Sequence, residues 1–370
     1  MDVRAILLAG PASLPEESAT LGGVPIALLD VLGRSILQRV ADRLRNYRIS
    51  EITAVIDAST AAAPLLPQSG SGLRCCAVQG SSLWEAAQRV FSGYAQNGAD
   101  LVFFVRLGPY LAIDYDELIQ AHLDGNARIT AATGESARPL GTYVVSASRR
   151  NEAAFLLRHR LLEARTAPLP YCFTGYCNRL ATAADLRRLA IDVFSGQAET
   201  TPEGTEIRPG VWLAKGARVE RGARIVAPAF IGNGAKVCSA AVVTRCSTVE
   251  RHAVVNLGTV LENATLLPYT SLGPGLEVVN AVVGWGRVCD LRRDLEVVTA
   301  DPRLVGRAGS VPGSILAQVT TQLVNRFSFD RLRGLRKHDR PQSVEVTGEA
   351  DAPWAAWAGR HSLSERSNPD

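Results

Sequence analysis

Lysine is nearly missing from this sequence. Only Lys215, Lys236 and Lys337 occur in 370 residues, and residues 1–214 contain none. Arginine restores the balance, so that 40 basic residues face 36 acidic ones and the formal net charge is +4. A charge this small does not predict a phosphate-neutralising stripe, and nucleic acid is therefore not an expected partner.

Long apolar runs and regularly spaced cysteines are also absent. No run reaches the roughly 18 residues that a membrane-spanning helix needs, and we therefore expect no membrane span. The seven cysteines are scattered along a long chain, which argues against a disulfide framework and favours a cytoplasmic location. The opening residues Arg4–Ala9 predict a first β-strand rather than a signal peptide.

The composition is nevertheless that of a folded protein with a core. Hydrophobic residues make up 46% of the chain and charged residues 21%, which excludes global disorder. At roughly 150 residues per domain, the length predicts two domains or three.

The second half of the chain carries a repeat. From Leu213 every sixth residue is aliphatic through to Leu267, Gly273 interrupts the series, and Val279 resumes it. From Val219 to Leu267 a small residue, alanine in most hexads, precedes each aliphatic one by two positions, whereas Val211 precedes Leu213. A period of six fits neither a simple strand nor a helix. It predicts a triangular parallel β-helix in which three hexads make one circuit and the aliphatic side chains fill the interior.

This pattern resembles the left-handed β-helix of the hexapeptide-repeat proteins. We expect the domain over residues 205–290, with about four circuits. Cys238 and Cys246 are interpreted as small turn residues, and no metal site is predicted because neither has a partner at a ligand spacing. A domain of this kind offers flat sides through which homo-oligomers or hetero-oligomers form.

An amphipathic helix is predicted at residues 310–340. Its apolar stripe is formed by Leu316, Val319, Leu323 and Phe327, and we expect it to close the end of the repeat. Contact of its basic residues with a membrane surface or a polyanion is the alternative. Residues 341–370 are expected to form a disordered tail.

Strand and helix signals alternate in residues 1–200, which predicts a Rossmann-like α/β domain with a parallel, doubly wound sheet. Ligands are expected beyond the carboxyl ends of its strands. Asp114 is expected to cap a helix in a capping box with Glu117, and His122 is expected on the surface of that helix. The predicted strands are Arg4–Ala9, Glu51–Asp57, Leu73–Val78, Leu101–Val105, Arg128–Thr133 and Thr142–Ser146, and the predicted helices are Gly33–Tyr47, Ser82–Gln96 and Asp114–Leu123.

An α/β domain followed by a left-handed β-helix resembles the sugar-phosphate nucleotidyltransferases, also called NDP-sugar pyrophosphorylases. The likeness is carried by the stretches Ala5–Gly10, Pro25–Leu37, Leu140–Val145 and Gly175–Leu186. It implies transfer of a nucleotidyl group from an NTP to a sugar 1-phosphate with Mg²⁺. It also implies nucleotide binding by Ala9, Gly10, Gly33 and Arg34.

Four departures from the family pattern concern the residues that would do the chemistry. The loop after Gly10 contains Pro11, Glu16 and Glu17 where the family has phosphate-binding groups. Pro109 stands where the first metal aspartate is expected, and Arg179 where the second is expected. The segment between Thr133 and Gly141 is too short for the strands that grip the sugar phosphate.

Three functions follow as hypotheses. The first is a degenerate nucleotidyltransferase that acts as a regulatory or scaffold subunit without a cofactor, with a nucleotide sugar as a candidate ligand. The second is an active nucleotidyltransferase that uses Asp30, Arg34, Arg106, Asp114 and Mg²⁺, although Arg106 also fits a solvated arginine at a strand end. The third is an acyltransferase with His252 as the base, although His252 also fits an exposed turn residue.

Overall fold

The computed structural model describes residues 1–10, 20–21, 24–49, 51–57, 73–78, 83–135, 138–147 and 168–308. These residues form a mixed α/β structure with few helices and many strands, most of which pair in parallel. The predicted helix at 310–340 and tail at 341–370 lie outside the described residues, as do Pro11, Glu16 and Glu17.

The α/β region, residues 1–200, contains a central sheet of seven strands in the order β12-β10-β11-β8-β1-β6-β7. Three small ribbons accompany it, formed by β2 with β3, β4 with β5, and β9 with β13. The described elements are β1 (Val3–Ala9), β2 (Thr20–Leu21), β3 (Val24–Pro25), a 3₁₀ helix (Ile26–Leu28), β4 (Asp30–Val31), β5 (Arg34–Ser35), α1 (Ile36–Asn46), β6 (Ile52–Asp57), β7 (Arg74–Val78), α2 (Leu83–Gln96), β8 (Leu101–Arg106), β9 (Tyr110–Leu111), α3 (Tyr115–Asp124), β10 (Ile129–Thr133), β11 (Pro139–Ser146), β12 (Leu169–Cys172), β13 (Cys177–Asn178) and α4 (Ala183–Phe194).

Side chains from alternate positions of β1 enter two separate cores. Leu7 packs with α1, α3 and α4 on one face of the sheet, whereas Leu8 packs with α2 on the other. This alternation follows from the two-residue period of a strand. The arrangement is the doubly wound layering that the sequence predicts.

The helices begin where side chains can satisfy their first backbone amides. Ser35 caps α1 in a capping box with Gln38, and Thr182 caps α4 in the same way with Asp185. These caps fix the entry of each helix onto the sheet.

One strand of the central sheet runs opposite to the rest. β11 pairs antiparallel with both β10 and β8, so the prediction of an entirely parallel sheet is wrong at this point. Only residues 134–138 connect β10 to β11. A link this short permits a hairpin but not the longer crossover that parallel neighbours need.

The repeat region, residues 205–308, forms three sheets that the chain enters in rotation. The first sheet has the order β14-β15-β18-β21-β24-β27-β28-β29, the second β16-β19-β22-β25-β30 and the third β17-β20-β23-β26. The strands are β14 (Thr205–Arg208), β15 (Val211–Leu213), β16 (Arg218–Val219), β17 (Arg224–Ile225), β18 (Ala229–Ile231), β19 (Lys236–Val237), β20 (Val242–Thr244), β21 (Ser247–Val249), β22 (Val254–Val255), β23 (Val260–Glu262), β24 (Thr265–Leu266), β25 (Thr270–Leu272), β26 (Glu277–Val279), β27 (Ala281–Gly284), β28 (Arg287–Asp290), β29 (Leu295–Val298) and β30 (Val305–Arg307).

Three hexads make one circuit, as predicted. Val211 pairs in parallel with Ala229, Arg218 with Lys236, and Arg224 with Val242, each 18 residues further on. From Ile225 to Leu261 the aliphatic residues of the hexads form one buried cluster, together with the alanines that precede most of them. Each circuit therefore contains 18 residues, and each of its three sides contains six, which is the period seen in the sequence.

The last part of the predicted register is wrong by one residue. After Leu261 the next interior residue is Leu266, followed by Leu272 and Val278, in place of Leu267, Gly273 and Val279. Strand partners beyond this point lie 17 residues apart, since Leu261 pairs with Val278. The corner at residues 262–265 is one residue short, so no break occurs in the interior column.

The short corner changes the role of Leu267. Its side chain leaves the repeat interior and joins the core of the α/β region, together with Phe230 and Val282 from the first sheet. The described residues of both regions belong to one compact unit. Among the described residues, no helix has the length and apolarity needed to cross a membrane.

Candidate functional site

The carboxyl ends of β1 and β6 meet at the edge of the central sheet where the sequence predicts a nucleotide. Ala9 ends β1 with a fully buried side chain and pairs with Ile56. Gly10 follows with φ +153°, and a Cβ built on it would lie 2.5 Å from Cβ of Asp57. Only glycine fits this close approach to Asp57, which is itself 2% exposed. Nucleotide binding by Ala9 and Gly10 stays a prediction.

Arg106 ends β8, the strand beside β1, but it is a buried residue. It occupies the same face of the sheet as Phe104, is 5% exposed, and contacts Tyr143 of β11. Its Nε has no hydrogen-bond partner among the described residues. Burial raises the pKa of Tyr143, and the Arg106 guanidinium opposes that rise. The interpretation of Arg106 as a solvated arginine is therefore wrong. Side chains alternate between the two faces of a strand, so Arg106 lies on the same face as Phe104, which α2 covers.

Asp114 caps α3 as the sequence predicts, but the predicted capping box is wrong because the Glu117 side chain does not bond back to the Asp114 amide. Its Oδ1 accepts hydrogen bonds from the backbone amides of Asp116 at 2.9 Å and Glu117 at 3.1 Å. The Glu117 carboxylate accepts a bond from the Tyr171 hydroxyl at 2.8 Å, a partner that the capping-box prediction did not foresee. Burial and this carboxylate raise the pKa of Tyr171 to about 12.

The ribbon of β9 and β13 brings together the two positions where metal ligands are expected. Tyr110 pairs with Asn178 and Leu111 with Cys177 in antiparallel register. Pro109 precedes β9 and Arg179 follows β13, so each is one residue beyond the Tyr110–Asn178 pair at the same end of the ribbon. A proline ring and a guanidinium thus occupy the two positions where carboxylates would be required to hold Mg²⁺.

Gly33 belongs to a tight turn that the repeat region holds in place. Leu32 and Gly33 connect β4 to β5 with φ values of +54° and +94°, the signs of a type I′ hairpin turn. Glu250 of the repeat region accepts the amide of Leu32 on Oε1 and that of Gly33 on Oε2, both at 2.9 Å. A Cβ on Gly33 would lie 2.7 Å from Glu203, so the position also needs glycine for space.

Four charged residues meet where this hairpin docks onto the repeat region, and we call them the junction cluster: Asp30, Arg39, Glu250 and Arg251. Oδ2 of Asp30 lies 3.1 Å from Nε of Arg251, and the Asp30 carboxylate is completely buried. Arg39 donates to the carbonyls of Val31 and Leu32 in the hairpin. The cluster therefore combines ion pairing with hydrogen bonds to the turn.

Burial dominates the titration of both acids in the junction cluster. It raises the pKa of Asp30 to about 7, although Arg251 pulls that pKa down and Glu250 and Glu203 push it up. Burial also raises the pKa of Glu250, against the two backbone amides that stabilise its charged form. Asp30, predicted as a possible catalytic group, is thus placed at the contact between the two regions.

The side chain of Arg34 points outward from the same hairpin. Its Nη1 lies 2.6 Å from Oδ2 of Asp42 on α1, and nearly half of the side chain is exposed. The guanidinium of Arg34 is thus paired with Asp42, and the amide of Gly33 is bonded to Glu250. Nucleotide binding by Gly33 and Arg34 stays a prediction that would have to compete with these contacts.

His252 lies at a corner of the repeat with φ +54°. Its ring stacks on Tyr269 at 5.1 Å between centroids and 19° between planes, and lies against Gly234 of the preceding circuit. Burial and the neighbouring Arg251 lower the pKa of His252. The turn position is as predicted, whereas its half-buried ring is not that of an exposed histidine.

His122 corrects another prediction. It is 1% exposed and lies on the buried face of α3, where Nδ1 is 2.8 Å from Oγ1 of Thr130 and Nε2 is 2.9 Å from Oγ of Ser146. Two hydroxyls on β10 and β11 satisfy the ring, and burial lowers its pKa. The sequence shows no partners near His122 because both lie on later strands.

A cavity of about 1010 Å³ opens between α1, the linker after α4, and the first circuit of the repeat. Its lining includes Arg39, Arg43, Tyr110, Glu203 and Trp212. Sequence reasoning missed it because these residues come from distant parts of the chain. Within the described ranges, no three side chains of His, Cys, Asp or Glu are grouped so that they could hold a metal ion.

Comparison with protein-family models and with curated proteins finds no match to this chain.

Proposed function

We propose that the protein is a degenerate sugar-phosphate nucleotidyltransferase of the mannose-1-phosphate guanylyltransferase type. In this proposal it does not turn over substrate and serves as a regulatory or scaffold subunit in nucleotide-sugar or polysaccharide metabolism. The single observation that carries the proposal is the β9–β13 ribbon, which brings Pro109 and Arg179 to its same end.

The residues at the end of the ribbon have the wrong chemistry to hold a divalent cation. Nucleotidyl transfer needs cations around the triphosphate, and Mg²⁺ is ordinarily held for this purpose by carboxylates. Proline has no ligand atom in its side chain, and arginine carries the same sign of charge as the metal. Arg179 is exposed, so its guanidinium is free to meet an anionic ligand but would repel a divalent cation at the same position.

The order of the two regions also supports the proposal. A doubly wound sheet precedes three parallel sheets with an 18-residue circuit, and we infer a left-handed winding for those circuits. The junction cluster binds the α/β region to the repeat region through buried contacts. Because the two regions are held together, the repeat region can offer other subunits a binding surface in a fixed position relative to the α/β region.

Thermal-shift titration of the full chain tests the proposal. NTPs, NDP-sugars and sugar 1-phosphates are added singly with and without Mg²⁺, because a ligand that binds the native state raises its melting temperature. We expect no Mg²⁺-dependent shift with any NTP. A clear Mg²⁺-dependent shift, followed by release of pyrophosphate on adding a sugar 1-phosphate, would overturn the proposal.

The variant Pro109→Asp/Arg179→Asp tests the role assigned to the ribbon. If these positions border a nucleotide crevice, the two carboxylates give the variant a Mg²⁺-dependent shift with an NTP that the wild type lacks. Arg188→Asp is the matched control, because that side chain is 76% exposed on α4. An identical response from the double variant and the control would remove the ribbon as support.

A further inference from the structure

The first circuit of the repeat leaves two of its three strands at the end of their sheets. β14 pairs with β15 and extends the first sheet, whereas β16 and β17 have neighbours on one side only among the described residues. At the opposite end, β30 pairs with β25 and covers the second sheet. The edge of β17 is occupied, because Arg208 donates to the carbonyl of Ile225. We call the exposed edge of β16, with its flanking corners, the open end.

The open end exposes the apolar interior of the repeat. Val219 occupies an interior position of the hexads yet is 40% exposed, while its counterparts Val237 and Val255 in the next two circuits are fully buried. The difference arises because no described residue lies above Val219. The Val219 side chain therefore forms the solvent-exposed end of the stack of interior valines.

The backbone at the open end is also unpaired on one side. The amides of Arg218 and Glu220 donate to carbonyls of the second circuit, Ala235 and Val237. Since the bonds of a ladder alternate in direction, the amide and carbonyl of Val219 face away from the repeat. Exposed edges of this kind accept an added strand.

Four cations surround the open end at intervals of three residues: Lys215, Arg218, Arg221 and Arg224. All four are exposed, and among the described residues none forms an ion pair. The nearest carboxylate, Glu220, points to the second circuit, where Oε1 lies 2.7 Å from Nζ of Lys236. The Glu220 carboxylate therefore does not neutralise the four cations.

This cluster of four unpaired cations occurs in the first circuit and is not repeated in the second. The equivalent positions of the second circuit are Asn233, Lys236, Ser239 and Val242, and Lys236 is neutralised by Glu220. The concentration of unpaired charge at the end that is also apolar and edge-exposed points to a binding surface rather than a general solvated face.

We propose that the open end binds an extended acidic segment of a partner protein, which adds as a strand to β16. Its backbone would pair with the exposed edge, an apolar side chain would cover Val219, and its carboxylates would meet the four cations. Nucleic acid offers charge but no strand to pair. A second copy of the chain would set four cations of each copy against one another. This inference is independent of the proposed function.

A fluorescent peptide that alternates glutamate and valine over about eight residues, a usual strand length, is the probe. Its binding to the full-length protein is measured by fluorescence anisotropy at low and high salt. We expect binding that weakens as salt screens the charges, and none with the corresponding lysine–valine peptide. N-methylation of alternate backbone amides should weaken binding about tenfold or more, because it removes donors from the added strand.

Variants locate the site. Arg218→Glu/Arg221→Glu/Arg224→Glu should weaken binding about tenfold or more, while Arg303→Glu is the matched control, exposed and next to the other end of the column. Arg221→Glu alone, at a turn, gives a smaller loss that does not depend on the triple variant folding. Absence of peptide binding overturns the proposal. So does equal binding of duplex DNA or of phosphatidylserine vesicles, since either would mean a general polyanion surface.

Discussion

Asp30 and Arg251 form an ion pair across the junction of the two regions, with Oδ2 of Asp30 3.1 Å from Nε of Arg251. Neither oxygen of the carboxylate accepts a well-aligned hydrogen bond from a described residue, and Asp30 is 0% exposed. The ion pair therefore offsets only part of the cost of removing the charge from water.

Stability should fall as pH rises through the titration of Asp30. The folded pKa of about 7 lies above the usual value of 3.8, so the folded protein holds a proton that the unfolded chain has lost. The resulting stabilisation is complete below pH 3.8 and is lost by the time pH passes 7. Asp30→Asn should abolish this component, which is on the order of 1–3 kcal/mol.

Urea unfolding at about pH 5.5 and about pH 8 measures that component. The wild type should lose more stability between the two conditions than Asp30→Asn does. Glu203→Gln is a second, milder variant: the Glu203 charge raises the pKa of Asp30, so its removal should shift the loss of stability to lower pH without abolishing it. Parallel pH profiles for wild type and Asp30→Asn would contradict the assignment.

Glu250→Gln should destabilise the hairpin turn by about 1–3 kcal/mol. Glutamine keeps one oxygen for Leu32 or Gly33, but its amide group faces the second backbone donor with another donor. Glu262→Gln is the matched control, because Glu262 pairs with Arg245 at the surface and should change stability little. Melting temperatures compare the two, and equal effects would argue against the turn as the cause.

Arg187 and Arg188 provide an internal comparison on one helix. Arg187 is 2% exposed and donates to the carbonyl and side-chain oxygens of Asn263 and to the carbonyl of Arg245, and burial lowers its pKa to about 10. Arg187→Ala should cost about 2–4 kcal/mol because it strands the acceptors of the short corner. Arg188→Ala should change stability by less than about 0.5 kcal/mol. Similar losses from both would refute this account.

Acidification should destabilise the packing around His122. Burial depresses its pKa below the usual 6.5, so its stabilising contribution is present above pH 6.5 and is lost as pH falls through the lower folded pKa. His122→Leu removes this dependence but leaves Thr130 and Ser146 without the ring. The melting temperature should therefore be lower than wild type at about pH 7.5, with a flatter acid limb. Thr130→Val keeps the histidine and should retain the acid limb.

The hexad period predicted three-sided circuits, but it could not place the one-residue shortening. Leu266 and Leu267 are adjacent leucines, as Val278 and Val279 are adjacent valines, so the pattern permits either register. At this corner Arg187 reaches from α4 and donates to Asn263, a contact that the spacing of the hexads does not reveal. Gly273 at an expected aliphatic position was the one local sign of the shift.

Among the site residues, too, some roles could be predicted from the sequence and others could not. Local chemistry predicted that Asp114 caps α3, because a helix start needs an acceptor within three residues. Arg106, His122 and Glu250 gave no such signal, since their partners lie on other strands or in the other region. Spacing in the sequence can predict contacts between residues that are close along the chain. It cannot predict contacts between charged residues that come together only when the chain folds.

The alternation of strands and helices in the α/β region and the three-sided circuits of the repeat could both be predicted from the order of residues. Both are set by the side-chain periodicity of local backbone structure. Three features arise only on folding: Glu250 bonds to the Leu32–Gly33 turn, Pro109 and Arg179 come to the same end of the β9–β13 ribbon, and Val219 stays exposed at the end of the apolar interior. These depend on long-range packing, in which a residue's environment is made by segments that are distant in sequence.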